Sequence, residues 1–194
     1  MPCAYAEVMP VPDADRKLGG RARVAMLSRL ARQTLAASAR RLGVALGPLE
    51  KDDNGAPLPT GGWYWSVTHK PAWVGAVLAR VRVGIDVEKV KPVSEALIAK
   101  IAADDEWRLG DDPPVQRFFR IWTAKEAVLK AAGIGFRGLA ECRVVSIIDD
   151  RHLHVRYRDG LWAVEQIRFD GHIAAVAADT TEICWMRPSS LRTT

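Results

Sequence analysis

Asp86 and Glu88 stand two residues apart in Val83-Gly84-Ile85-Asp86-Val87-Glu88. The alternation predicts a β-strand with Val83, Ile85 and Val87 on one face and Gly84, Asp86 and Glu88 on the other. Two carboxylates on one strand face repel each other unless a cation joins them. A hard divalent ion such as Mg²⁺ meets that need, because it takes oxygen ligands and shares them readily with substrate phosphates. A polar strand face turned to water fits the same residues, so this segment alone leaves both readings open.

A second segment, Trp122-Thr123-Ala124-Lys125-Glu126-Ala127-Val128-Leu129-Lys130, has helical spacing. Trp122, Glu126 and Lys130 climb one side of the helix at i, i+4 and i+8, where Glu126 and Lys130 also suit an intrahelical ion pair. Lys125 falls within the arc of Phe118, Ile121, Val128 and Leu129. A cation on an apolar stripe must snorkel or find an anionic partner, either a bound phosphate or a carboxylate such as Glu106.

The elements that position these groups follow from pattern. A helix is expected over residues 20–42, with Val24, Leu27, Ala31, Leu35 and Leu42 at helical spacing and Leu42-Gly43 as its stop. Strands are expected at 63–68, 72–79 and 83–88, and a short helix at 95–102. The clearest helix is 114–132, with Asp112 able to cap it, Pro113-Pro114 suited to its first turn and Gly133 ending it. Strands at 142–148, 152–158, 161–168 and 172–178 follow, with Arg158-Asp159-Gly160-Leu161 as a tight hairpin turn. Residues 73–79 and 172–178 echo each other in length and small-residue content. Two similar α+β halves, divided as 1–81 and 82–194, would explain the echo.

The chain has 194 residues, 48% hydrophobic and 26% charged, which excludes collagen-like, fibrous and disordered classes. No apolar run reaches the length of about 18 residues that a membrane span needs, and residues 1–12 lack the flank and core of a signal peptide. The expected location is therefore cytoplasmic. Cys3, Cys142 and Cys184 are odd in number and widely spaced, so all three are expected reduced, with no zinc pattern. His152 and His154 share a strand face but lack a third ligand nearby. Net charge is +5, and the excess is local: eight basic residues and no acid lie between Arg16 and Arg41. Such a segment suits a polyanion, whether nucleic acid, a phosphorylated small molecule or an acidic protein, and equally a solvated helix face.

Taken together, Gly84-Ile85-Asp86-Val87-Glu88 and Trp122 to Lys130 resemble the paired motifs of the 4′-phosphopantetheinyl transferases. Trp65-Ser66-Val67-Thr68-His69 is similar to that family's strand ending in Ser-His, with Thr68 where serine is common. Asp105-Glu106-Trp107 resembles its acidic-aromatic step. Gly20-Arg21 is similar to the basic N-terminal helix of the larger, monomeric class that activates surfactin- and enterobactin-type synthetases. The resemblance runs over residues 16–136 and is closest from Trp63 onward. Gly55-Ala56-Pro57 stands where many relatives carry Gly-Lys-Pro, so one cation is absent.

The resemblance implies an α+β fold of two similar halves related by approximate twofold symmetry, with coenzyme A and Mg²⁺ between them. It implies a holo-[carrier protein] synthase that moves the 4′-phosphopantetheine of coenzyme A to a serine of an apo acyl or peptidyl carrier protein, releasing adenosine 3′,5′-bisphosphate. Asp86, Glu88 and Glu126 would hold Mg²⁺ against the diphosphate. Thr68, His69 and Lys130 would meet the phosphates, with Lys125 completing the anion site. Arg21, Lys17 and their basic neighbours would meet the 3′-phosphate. The catalytic set would be Glu126, Asp86 and Lys130, with either Glu126 or a water on the ion as base. Trp63, Trp65 and Trp73 are expected near the cleft. One chain would suffice, with neither nucleic acid nor membrane as partner. The rival readings are a catalytically weak relative that binds coenzyme A or a carrier, and a basic nucleic-acid-binding module.

Overall fold

The two echoing segments, 73–79 and 172–178, are buried at every position, and each becomes an inner strand of its own sheet. Strands covered on both faces read as continuous apolar runs rather than as alternation. The computed structural model describes residues 3–179 and 182–186. In chain order the elements are β1 (Cys3–Pro10), α1 (Asp13–Arg16), α2 (Gly20–Arg41), β2 (Tyr64–His69), β3 (Trp73–Ala79) and β4 (Val83–Lys89). Then come α3 (Glu95–Ile101), α4 (Asp104–Trp107), α5 (Pro114–Ala131) and a 3-10 turn (Gly135–Glu141). Strands β5 (Cys142–Ile147), β6 (His152–Tyr157), β7 (Gly160–Phe169), β8 (His172–Ala178) and β9 (Glu182–Met186) close the chain.

The fold is α+β. One sheet has the order β2-β3-β1-β9 and the other β4-β8-β7-β6-β5, antiparallel throughout except for the parallel β1–β9 pair. Alternation along β3 explains the layering. Val74, Ala76 and Leu78 face Met26, Leu27, Ala31, Leu35 and Ala39 of α2. Val77 and Ala79 face Val83, Ile85, Val176 and Ala178 of the other sheet. Ile173, Ala175 and Ala177 of β8 in turn meet Phe118, Ile121, Ala124 and Val128 of α5. The order across the molecule is helix, sheet, sheet, helix. None of the described helices is long and apolar enough to cross a membrane.

Both long helices end where a left-handed glycine follows them, Gly43 at φ 67° and Gly133 at φ 70°. Gly84 has a different task. A Cβ there would sit 2.1 Å from the Ala127 carbonyl oxygen and 2.5 Å from the Ala131 nitrogen, so glycine is what allows α5 to lie directly on β4. That approach brings the last two turns of α5 over the acidic face of the strand.

Three expectations are corrected. Cys3 and Cys184 are not reduced but form a disulfide, with Cα atoms 6.1 Å apart; only Cys142 is a free, buried thiol. The two cysteines are 181 residues apart, and only the return of β9 to β1, in parallel, makes them neighbours. The same return places the chain's last described strand in the sheet otherwise built before residue 82. Asp112 does not cap α5, whose N-cap is Pro113; it is held instead between Arg120, at 2.8 Å, and Arg168. The β6–β7 turn lies one residue earlier than expected. Tyr157 pairs with Gly160, and Arg158 takes the positive φ of 52°, while Val155 and Tyr157 share the inner face with Trp162 and Val164. The stretch before Pro12 is a strand, with Ala4, Ala6 and Val8 turned to the sheet interface. Its Glu7 is buried, accepting hydrogen bonds from Ser38 and Arg41, both at 2.6 Å.

Candidate active site

The edge strands β2 and β4 meet side to side, and α5 crosses above the seam. Ser66 and Thr68, alternate residues of β2, point at β4. The Ile85 N–H donates to Ser66 Oγ at 3.3 Å, and the Thr68 hydroxyl donates to Asp86 Oδ1 at 3.1 Å. From α5, Lys130 Nζ donates to Asp86 Oδ1 at 2.6 Å, to the Ile85 carbonyl at 3.1 Å and to Thr68 Oγ1 at 3.4 Å. Lys130 therefore spans to the strand instead of pairing with Glu126 along its own helix. Glu88 Oε1 accepts from Trp122 Nε1 at 2.9 Å and from Lys70 Nζ at 2.6 Å. On the other side, His69 Nε2 lies 3.4 Å from Ser28 Oγ of α2, so the basic helix borders the seam.

The electrostatics are those of a crowded acidic cluster. Burial, and then the nearby Asp86 carboxylate, push the Glu126 carboxyl up to about 7, against the opposing pull of Lys130 and Lys70. Burial alone would lower the Lys70 ammonium, but Asp86, Glu88 and Glu126 together hold it above the usual lysine range. Burial and the same two lysines depress the half-buried His69, which favours its neutral form. Asp86 Oδ2 and Glu126 Oε1 are buried and have no hydrogen-bond partner among the described residues. An orphaned buried carboxylate oxygen is costly, and a cation is the natural remedy. In donor chemistry the cluster suits a hard divalent ion. As it stands, no group of three His, Cys, Asp or Glu side chains is gathered closely enough to hold a metal among the described residues. Two ammonium groups, on Asp86 and Glu88, take up the negative charge instead.

A cavity of about 170 Å³ opens beside the seam, between Gly55-Ala56-Pro57, Ser66 and Val67 of β2, and the end of α5 at Lys130 and Gly133. Asp52 Oδ1 shapes that turn by accepting from the Asn54 and Ala56 N–H groups. Although Ala56 offers no cation, Lys51 lines the same cavity.

Of the residues singled out from sequence, the structure brings Thr68, Asp86, Glu88, Glu126 and Lys130 to one seam, with His69 at its border. Lys125 is not part of it. Its ammonium is fully buried on the far side of α5, donating to Glu106 Oε2 at 2.8 Å and to the Ile101 carbonyl at 2.7 Å. An internal carboxylate satisfies this cation, so no bound phosphate is needed to explain it. Lys17, at the end of α1, and Arg21, in the first turn of α2, are exposed, and no described contact joins either to the cluster. Trp73 parts from the other two: Trp63, under the Arg80 guanidinium at 4.0 Å, packs with Trp65 in the α2 core, whereas Trp73 meets Phe169 edge-on. His152 and His154 are taken by Asp149 and Ser146. Lys70 and Lys51 escaped the sequence reading. For Lys70 the signal was the two-residue period Ser66, Thr68, Lys70, which continues one side of β2 into the residue that follows it.

Residues 82–177, from the start of β4 to the end of β8, match the model of the 4′-phosphopantetheinyl transferase superfamily. The chain belongs to that superfamily. The match carries all three carboxylates together with Trp122 and Lys130, while Thr68, His69 and Lys70 precede it. Among curated proteins, 4′-phosphopantetheinyl transferase psf-1 of Bacillus pumilus is 31% identical over 94 residues, covering 44% of this chain and 40% of the relative. A 4′-phosphopantetheinyl transferase of Bacillus subtilis is 25% identical over 101 residues, covering 50% and 45%. 4′-phosphopantetheinyl transferase Svp of Streptomyces mobaraensis is 34% identical over 100 residues, covering 47% and 41%. The chain thus spans less than half the length of these relatives. In this superfamily member, the seam of β2, β4 and α5 joins the matched segment to the strand before it.

Proposed function

We propose that the chain transfers the 4′-phosphopantetheine of coenzyme A to a serine of an apo acyl or peptidyl carrier protein. The observation that carries this reading is the pair of buried, unpartnered oxygens on Asp86 and Glu126, close to Lys130, which itself lines the neighbouring cavity. Superfamily membership and the names of the relatives support it. Asp86, Glu88 and Glu126 would hold Mg²⁺, which supplies charge neutralisation to the diphosphate ester. Lys130, tied to Asp86 and to the Ile85 carbonyl, presents a fixed positive charge to the phosphates. Neutral His69 offers a ring nitrogen at the same border.

In the reaction, the serine oxygen bonds to the phosphorus bearing pantetheine, and the bond from that phosphorus to adenosine 3′,5′-bisphosphate breaks. The serine proton needs an acceptor, and the Glu126 carboxylate is the seam group available to take it. Lys17, Arg21, and Lys51 at the cavity, are the cations available to the 3′-phosphate. We further propose a monomer as the working unit and place the reaction in the cytoplasm.

Intact-mass measurement tests this directly. Incubated with coenzyme A, Mg²⁺ and apo-carrier, the protein is expected to add one phosphopantetheine per carrier, and none when the acceptor serine is replaced by alanine. Carriers of unchanged mass across acyl and peptidyl types would overturn the proposal.

A further inference from the structure

Lys70 sits where its position is fixed by backbone. Its N–H donates to the Trp73 carbonyl at 2.7 Å and its carbonyl accepts from the Trp73 N–H at 3.2 Å, closing the β2–β3 hairpin through Pro71 and Ala72. Proline presets the backbone of such a turn. From there Nζ reaches across the seam to Glu88 Oε1 at 2.6 Å. The two side chains are 31% and 15% exposed, so the pair is neither sealed in nor washed by solvent. Lys130 is different: three acceptors on two strands hold it. Among the contacts described, Lys70 has a single side-chain acceptor, and a flexible four-carbon stem can release it toward water.

We infer that Lys70 is a built-in counter-cation of the carboxylate cluster, holding Glu88 in the metal-free protein and competing there with the divalent ion. The inference rests on the metal reading of the proposed function. A tethered cation needs no diffusion to reach its carboxylate, so it answers the repulsion among Asp86, Glu88 and Glu126 whenever no ion is bound. A divalent ion arriving at Glu88 meets an ammonium within a few ångströms, in a partly desolvated site where like charges repel strongly. Lys70 thereby stabilises the metal-free fold and lowers affinity for the ion. It is a positioning residue for Glu88, with no contact to substrate required.

The test is Mn²⁺ binding to the full chain by calorimetry, with thermal melting in EDTA and in Mn²⁺. Removing the rival charge in Lys70→Met is expected to tighten Mn²⁺ binding about tenfold, by weakening like-charge repulsion at a half-buried site. The same variant should melt lower than wild type in EDTA and gain more on adding Mn²⁺. Lys70→Arg, which keeps the charge, should behave as wild type. Lys70→Gln, which keeps a donor for Glu88 without the charge, should tighten binding as methionine does and covers a folding failure of Lys70→Met. Equal affinity in wild type and the neutral variants overturns the inference and leaves the metal reading standing. Weaker binding by a folded neutral variant also overturns it. Absence of Mn²⁺ binding in every protein overturns the inference together with the metal reading.

Discussion

Asp86→Ala is expected to lower carrier modification on the order of a thousandfold or more, a loss typical of removing a group that organises transition-state charge. Asp86 is 2% exposed and is the common acceptor of Thr68 and Lys130. Without it, Lys130 keeps only the Ile85 carbonyl and the Thr68 hydroxyl, and the phosphate-facing charge loses its fixed position. The unpartnered Oδ2, the oxygen best placed for a cation, disappears as well. The fold should survive, because alanine suits a strand packed between β8 and α5 and relieves the crowding that raises Glu126. Intact-mass rates alongside a thermal melt check this, and near-normal turnover in a folded Asp86→Ala protein would remove the carboxylate's proposed role.

Lys125→Met is expected to act on stability instead. Glu106 and Lys125 are 1% and 2% exposed, and the carboxylate also accepts from the Ala103 and Val144 N–H groups, at 3.0 and 2.7 Å. Removing the ammonium leaves the buried carboxylate its two N–H donors and the more distant Arg143 guanidinium, at 3.7 Å, and breaking such a buried pair costs about 3–5 kcal/mol. Urea denaturation reads that loss directly. Coenzyme A affinity of the folded fraction should stay at the wild-type level, since Lys125 lies across α5 from the seam. A variant with unchanged stability and weakened coenzyme A binding would restore Lys125 to the anion site.

Much of this was legible from local pattern. The helices at Gly20–Arg41 and Pro114–Ala131 carry long apolar stripes bounded by glycine stops, and their observed ends fall within a residue of expectation. β4 showed its acidic face because period two is unambiguous when small, acidic and branched residues alternate. Lys125 was legible as a buried cation, but helical projection says nothing about which neighbour lies opposite. That answer needed α4 to set Glu106 against it. β1 and β9 were hidden for another reason: Ala4 and Ala6 give a weak apolar signal, Glu7 interrupts it, and β9 is short. Their parallel pairing, and with it the Cys3–Cys184 bridge, joins opposite ends of the chain and leaves no local trace. Lys70 was missed because a lysine beside a proline turn looks like solvent-facing punctuation until the partner strand is known.

On the proposed function, the seam of β2, β4 and α5 holds the diphosphate of coenzyme A. Calorimetric titration of coenzyme A, with Mg²⁺ present, into wild type and Lys130→Ala tests it most directly. One coenzyme A should bind per wild-type chain, and Lys130→Ala should weaken that binding about thirtyfold, the worth of roughly one charge-assisted phosphate contact. Its thermal midpoint should move far less than its affinity. A folded Lys130→Ala protein that binds coenzyme A as tightly as wild type would contradict the account.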